Sequence, residues 1–104
     1  MIKAKKRLKV VWHINAQNHL KELIEHLSER YSLKFIELIK GEIERNTKLI
    51  SLRPRIFPLD ILKSNNDGSY RYFNVPAIRI AYKIEPKRII ILRVRHQSQE
   101  PLAY

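Results

Sequence analysis

Residues 70–96 read YRYFNVPAIRIAYKIEPKRIIILRVRH, and they give the strongest indication of the fold class. Over residues 77–84, apolar side chains alternate with small or basic ones, as in a strand that buries one face and exposes the other. Residues 89–94 are almost continuously apolar, which is typical of a central strand. Proline-containing turns separate the runs. The stretch therefore predicts three successive antiparallel strands, the first over residues 70–75.

Two amphipathic helices are predicted upstream of these strands. Over residues 16–31, apolar side chains recur at spacings of three and four, and Asn15 precedes them in a position to cap the helix. Ser32 is placed to cap a second helix, whose apolar stripe runs through residues 35–50. Almost no loop lies between the two, so they are expected to form a helical hairpin.

The remaining segments complete an α+β fold. Residues 8–12 are a short apolar run and predict an N-terminal strand, whereas residues 51–59 form a proline-containing loop. Ile61 and Leu62 suggest a short strand before the turn signal at residues 65–68. We expect a single domain over residues 1–104: a short N-terminal strand, a helical hairpin and a three- to four-stranded antiparallel meander, with the helices packed on one sheet face. The expected core contains Leu20, Leu23, Leu27, Ile39, Ile43, Ile80, Tyr82, Leu92 and Val94.

Composition limits the function classes. The chain has 104 residues, is 44% hydrophobic and contains no cysteine, so it can bury a core but cannot form disulfides or cysteine-based metal sites. No apolar run approaches the roughly 20 residues of a membrane span, so we expect a soluble, cytoplasmic protein without a membrane partner. The histidine spacing forms no recognised metal motif, and neither a metal nor another cofactor is expected.

The positive charge is unevenly distributed. The net charge is +11, and residues 1–9 hold five basic residues and no acidic one. Residues 15–50 hold six of each, whereas residues 70–97 hold seven basic residues and one acidic residue. Clustered positive charge favours a binding face for phosphate, an acidic protein or another anionic surface. In the last strand, alternation places Arg93 and Arg95 on one face, and Leu92, Val94 and His96 on the other.

Three strand motifs carry a resemblance to a known family. They are YRYFNV at 70–75, AIRIAY at 77–82 and IILRVRH at 90–96. With the order of the elements, they resemble the RelE/ParE superfamily of toxins from type II toxin–antitoxin, or plasmid-stabilisation, modules. The resemblance covers residues 8–102. It implies a small basic toxin that is neutralised by a cognate acidic antitoxin and acts on translation or on DNA gyrase.

The RelE-like branch of this superfamily consists of ribosome-dependent mRNA endoribonucleases. In that reaction a ribose 2′-hydroxyl attacks the adjacent phosphate, which requires a base, an acid and cations on the phosphate. The resemblance implies catalytic roles for Arg79 as the phosphate-side arginine, for Tyr104 as a C-terminal tyrosine and for His96. From the sequence alone, His96 could equally close the edge of the core or fix the C-terminal tail by a hydrogen bond.

The sequence departs from the RelE-like pattern at two places. A lysine pair is expected on the strand before Arg79, but that strand supplies only Arg71, and the basic position after the last strand holds Gln97 or Ser98. These departures favour the ParE-like branch, a non-catalytic inhibitor of DNA gyrase. Two alternatives remain: an endoribonuclease that acts on the ribosome and mRNA, and a stand-alone basic nucleic-acid-binding module. The candidate antitoxin- or anion-binding residues are Arg71, Arg79, Arg93 and Arg95.

Overall fold

The computed structural model describes residues 7–99 and 102–104. The elements in chain order are β1 (Lys9–Trp12), α1 (Ile14–Ser28), α2 (Leu33–Leu52), β2 (Tyr70–Val75), β3 (Ile78–Ile84) and β4 (Arg88–His96). The predicted α+β order is confirmed, and β2 has the predicted bounds, whereas β3 begins one residue later than the alternation predicted because Ala77 has a φ of 70° and lies in the turn. Of the basic N-terminal run, Lys3, Lys5 and Lys6 lie outside the described residues.

The four strands form one mixed sheet in the order β1-β4-β3-β2. Strands β2, β3 and β4 are the predicted antiparallel meander, and β1 pairs in parallel with β4. A parallel neighbour requires a long crossover connection, part of which the helical hairpin provides here. The sheet is therefore mixed rather than purely antiparallel, and β4 occupies a central position.

The strand expected at Ile61 and Leu62 is wrong, because both residues lie in a turn. The carboxylate of Asp60 accepts a hydrogen bond from the Leu62 N–H at 3.0 Å, which closes the backbone into that turn. Pairing with β2 is limited in this region to an isolated bridge between Leu59 and Arg71.

The helix caps are partly as expected. Ser32 caps α2, since its hydroxyl accepts a hydrogen bond from the Phe35 N–H at 3.2 Å. The expected cap of α1 at Asn15 is wrong: His13 is the cap, and its Nδ1 accepts a hydrogen bond from the Asn15 N–H at 3.1 Å. The His13 N–H still donates to the Ile91 carbonyl, so the chain passes directly from the sheet into the helix and Asn15 falls in the first turn.

Both helices pack on one face of the sheet, as predicted. The core joins α1 and α2 to the inward side chains of the strands, and six predicted core residues are buried in it: Leu27, Ile39, Ile43, Ile80, Tyr82 and Val94. Leu20 and Leu23 are partly buried against this core. Tyr31, predicted to lie on the apolar face of α1, is instead half exposed and packs against the ring of Phe35.

A β-bulge in β4 corrects the prediction for Leu92. Ile80 pairs with Val94 and Tyr82 pairs with Ile91, so the register shifts and Leu92 has no partner across the sheet. The extra residue resets the alternation, so that Ile91 and Val94 both face the core although three positions apart. Leu92 itself is only half-buried and lies outside the core cluster, contrary to the prediction.

Candidate functional site

The sheet face opposite the helices carries most of the predicted site residues. Directly opposed residues share a face, and Arg79 pairs with Asn74 on one side and with Arg95 on the other. Ala81 likewise pairs with Tyr72 and with Arg93. We call this surface the open face; it comprises Tyr70, Tyr72, Asn74, Arg79, Ala81, Lys83, Arg93 and Arg95. The structure therefore brings Arg79 together with Arg93 and Arg95, which share one face as the alternation predicted.

Arg71 lies on the other side of the sheet. It pairs with Tyr82, whose side chain is in the core. Its guanidinium donates to the carbonyls of Arg55 at 3.1 Å, Phe57 at 2.8 Å and Gly68 at 3.3 Å. Arg71 thus ties the loop before β2 to the strand, and its expected part in anion binding stays a prediction.

A buried carboxylate lies at the centre of the candidate site. Asp60 has a side chain that is 0% exposed, and its Oδ1 accepts from the Arg79 guanidinium at 2.9 Å. Its Oδ2 accepts from the Tyr104 hydroxyl at 2.6 Å. Burial alone would raise the pKa of Asp60, but the hydrogen bonds from Arg79, Tyr104 and the Leu62 N–H hold the pKa below its usual value. Asp60 is therefore ionised and paired at neutral pH.

Tyr104 is fixed by its backbone as well as by its hydroxyl. Its N–H donates to the Leu62 carbonyl at 2.9 Å, and its carbonyl accepts from the Ser64 N–H at 2.6 Å. The Arg93 guanidinium donates to the Leu102 carbonyl at 2.8 Å and lies 4.2 Å from the centre of the Tyr104 ring. Burial, together with the hydrogen bond to Asp60 and its charge, raises the pKa of Tyr104 above its usual value. The phenol is therefore held in its protonated form.

Cationic side chains contact two tyrosine rings of the open face, and one of these cations, Lys63, comes from the loop before β2. The Arg79 guanidinium lies 3.8 Å from the centre of the Tyr72 ring. The ammonium groups of Lys63 and Lys83 lie 4.8 Å and 5.3 Å from the centre of the Tyr70 ring. Such contacts are favourable because the ring face is electron-rich, and they hold positive charge in fixed positions.

His96 lies at the end of β4, opposite Ile78. Its Nδ1 accepts from the Ser98 N–H at 3.0 Å and lies 2.5 Å from the Ser98 hydroxyl, and its own N–H donates to the Gln99 side chain at 2.9 Å. These bonds shape the turn after β4, and in the neutral ring they leave the proton on Nε2. His96 also lines a cleft of about 310 Å³ together with Arg79 and Arg95.

The sequence reasoning missed Asp60, Lys63, Tyr70 and Tyr72. Within residues 53–84, Asp60 and Asp67 are the two acidic residues, and Asp67 belongs to the turn signal. Asp60 is therefore an isolated acidic residue in a basic segment, and this is the feature of the sequence that could have indicated its role in the site. The tyrosines were visible only as parts of a strand motif.

Neither metal nor membrane features emerge in the described part of the chain. Among residues 7–99 and 102–104, no three His, Cys, Asp or Glu side chains are grouped so as to hold a metal ion. Over the same residues, no helix has the length and apolar character needed to cross a membrane.

Comparison with known proteins agrees with the resemblance seen in the strand motifs. A family described as "ParE toxin of type II toxin-antitoxin system, parDE" matches residues 10–101. No curated protein gave a match. The matched segment begins at the second residue of β1, contains the other five elements in full and extends beyond the end of β4. The chain therefore belongs to the ParE toxin family of type II toxin–antitoxin systems.

Proposed function

We propose that this toxin inhibits DNA gyrase by binding it as a folded, single-domain protein in the cytoplasm, without catalysing a reaction itself. The ion pair between Arg79 and Asp60 carries this proposal. Cleavage of RNA develops negative charge on a phosphate and needs preorganised cations that are aimed at it. Here the arginine best placed for that task donates at 2.9 Å to a carboxylate that is 0% exposed.

The other candidate catalytic groups support the same conclusion. A general base works best when its pKa lies near the working pH, whereas burial and Asp60 raise the pKa of Tyr104 away from it. The lysine pair expected of a RelE-like nuclease is missing, and Arg71 on that strand donates to three backbone carbonyls. Neither Arg79 nor Arg71 therefore presents an unpaired guanidinium to a phosphate at this site.

An acidic antitoxin is the partner that fits the open face. Lys83, Arg93 and Arg95 lie on this face, whereas the helical layer over residues 15–50 is electrically neutral. We propose that an acidic antitoxin segment crosses the open face and neutralises the toxin there. Such binding should weaken as salt rises, because partly exposed charges are screened.

The second candidate function is ribosome-dependent cleavage of mRNA. The observation that favours it is the shared cleft of Arg79, Arg95 and His96. Because Nδ1 of His96 accepts hydrogen bonds, its Nε2–H could donate a hydrogen bond to the scissile phosphate beside Arg79, while the proton of the attacking 2′-hydroxyl passes to water and the leaving 5′-oxygen takes a proton from water. This function requires Arg79 to exchange Asp60 for the phosphate in the ribosomal complex.

Purified components distinguish the two functions. The toxin is added to DNA gyrase with relaxed plasmid and ATP, and separately to translating ribosomes with a labelled message. We expect supercoiling to be inhibited by both the wild type and His96→Ala, and the message to remain intact. Undisturbed supercoiling, together with message cleavage that is lost in Arg79→Ala and His96→Ala, would establish the nuclease instead.

A further inference from the structure

The open face has the ingredients of a surface for single-stranded nucleic acid. Lys63 and Lys83 flank the ring of Tyr70, and Arg79 lies over Tyr72. Proteins that bind single strands without sequence preference combine such cations with aromatic rings on which bases stack. A chain with a net charge of +11 would be expected to use this face for RNA in a salt-dependent manner.

One residue works against that use. Asp60 places a full negative charge 2.9 Å from the Arg79 guanidinium. The Arg79 side chain is 21% exposed, so a ligand can approach it, but a phosphate there would also approach the carboxylate. Since the Asp60 side chain has no contact with water, little screening reduces that repulsion.

The carboxylate is also firmly held. Arg79, Tyr104 and the Leu62 N–H donate to its two oxygens, and in the described residues every buried side-chain nitrogen and oxygen has a hydrogen-bond partner. Moving Asp60 away from Arg79 would leave a buried charge without its cation, which is costly.

We propose that Asp60 is a specificity-determining residue that withholds Arg79 from phosphodiesters and so weakens the binding of single-stranded RNA to the open face. An acidic protein partner would instead be held by Lys83 and Arg93. Specificity of this kind rests on an element that repels the wrong partner. The inference goes beyond gyrase inhibition, because it concerns a ligand class against which the protein discriminates, and it is tested without gyrase.

The direct test is Asp60→Asn, measured by the fluorescence anisotropy of a labelled RNA of about 12 uridines. Asparagine preserves the shape: its Oδ1 can accept from Arg79 and the Leu62 N–H, and its Nδ2 can donate to the Tyr104 oxygen. We expect the variant to bind this RNA about fivefold or more tightly than the wild type, as one added charge-assisted contact would give. The slope of log affinity against log salt should steepen by about 0.7, the value for one more phosphate contact on a single strand.

The matched control is Glu37→Gln, which removes the same charge. Glu37 is an exposed residue of α2, which packs on the sheet face opposite the open face. This variant should change RNA affinity by less than about twofold. An equal gain in both variants would show that net charge alone matters, and an unchanged affinity in Asp60→Asn would also overturn the proposal.

A second variant decides the matter even if Asp60→Asn does not fold. Asp60→Asn/Arg79→Gln removes both members of the pair, which a fold tolerates better than the loss of one. If Arg79 contributes nothing to RNA binding in the wild type, this variant should bind the RNA within about twofold of it, whereas Lys83→Gln should bind more weakly. A loss in the double variant as large as that in Lys83→Gln would contradict the proposal.

Discussion

The side chains of Tyr82 and Arg71 hold the loop between α2 and β2 in place. The sequence predicts Tyr82 as a core residue and Arg71 as an anion- or antitoxin-binding residue. The Tyr82 hydroxyl donates to the Pro54 carbonyl at 2.7 Å, although the ring itself lies in the core. Arg71 donates to the carbonyls of Arg55 and Phe57 in the same loop. Since Asp60 follows directly, these contacts set the position from which it reaches Arg79.

Tyr82→Phe tests this arrangement through the pH dependence of stability. Burial raises the pKa of Tyr82 from 10.0 to about 12, despite the nearby charge of Arg71. The hydroxyl therefore contributes stability that is fully present below pH 10 and is lost as the pH rises through about 12. Tyr82→Phe should lower the free energy of unfolding by about 1 kcal/mol at neutral pH. The difference in this free energy between variant and wild type should become smaller as the pH rises from 10 to about 12.

Urea unfolding at a series of pH values measures this difference. Tyr31→Phe is the control, because Tyr31 is 51% exposed, and its stability at neutral pH should change by less than about 0.5 kcal/mol. A deficit of Tyr82→Phe that stays constant up to strongly alkaline pH would contradict the assigned contact.

Secondary-structure elements were predictable where one periodicity runs without interruption. The alternation of apolar residues predicts strand β3, and the apolar stripe predicts helix α2, because each element buries one side against the core. The bulge at Leu92 was not predictable, since the surrounding run is apolar on both sides and gives no sign of a register shift. The turn at Ile61 and Leu62 depends on Asp60, whose carboxylate accepts from the Leu62 N–H two residues on, so this aspartate was a local signal for a turn that the apolar pair concealed.

Gly41 offers a test of α2 as an independent element. It lies inside the helix, and a Cβ added there would meet no atom within 4 Å. Gly41→Ala should therefore stabilise the protein by about 1 kcal/mol, because alanine favours the helix and restricts the unfolded chain.

Gly68→Ala is the matched control in the same thermal unfolding experiment. Gly68 also has open space around its Cβ position, but its φ is +98°, which side chains rarely adopt. Gly68→Ala should therefore lower the free energy of unfolding by about 1 kcal/mol. If Gly41→Ala lowered the stability as well, α2 would not have the unobstructed geometry described.

The whole molecule separates its charge between two layers, and this separation could be predicted from the sequence. The residue counts predict a neutral helical hairpin, and alternation predicts that Arg93 and Arg95 share one face of the last strand. The site chemistry could not be predicted, because the partners of Asp60 lie 19 residues away at Arg79 and 44 away at Tyr104. Contacts between residues this far apart in sequence depend on how the loop before β2 packs against the sheet, and no periodic pattern in the sequence predicts them.

Charge reversal on each layer tests the antitoxin face. Arg93→Glu/Arg95→Glu should weaken binding of the cognate antitoxin by about tenfold or more, with a larger effect at low salt. Lys34→Glu/Lys40→Glu makes the same charge change on exposed positions of α2 and should cost less than about threefold. Isothermal titration at two salt concentrations gives both values, with thermal unfolding to verify that each variant is folded. Equal losses would place the antitoxin elsewhere.

Gyrase inhibition and message cleavage leave different first traces in a cell. Removing a single preorganised group that stabilises developing charge typically costs about 10²–10³ in rate, so a toxin whose Arg79 is paired with Asp60 should cut little RNA. The measurement is a short induction without antitoxin, with DNA and protein synthesis followed by labelled precursors and message 5′ ends mapped in parallel. We predict that DNA synthesis stops while protein synthesis continues at first and no new 5′ ends form. New 5′ ends within translated regions that disappear in Arg79→Ala would contradict this account and establish the protein as a ribonuclease.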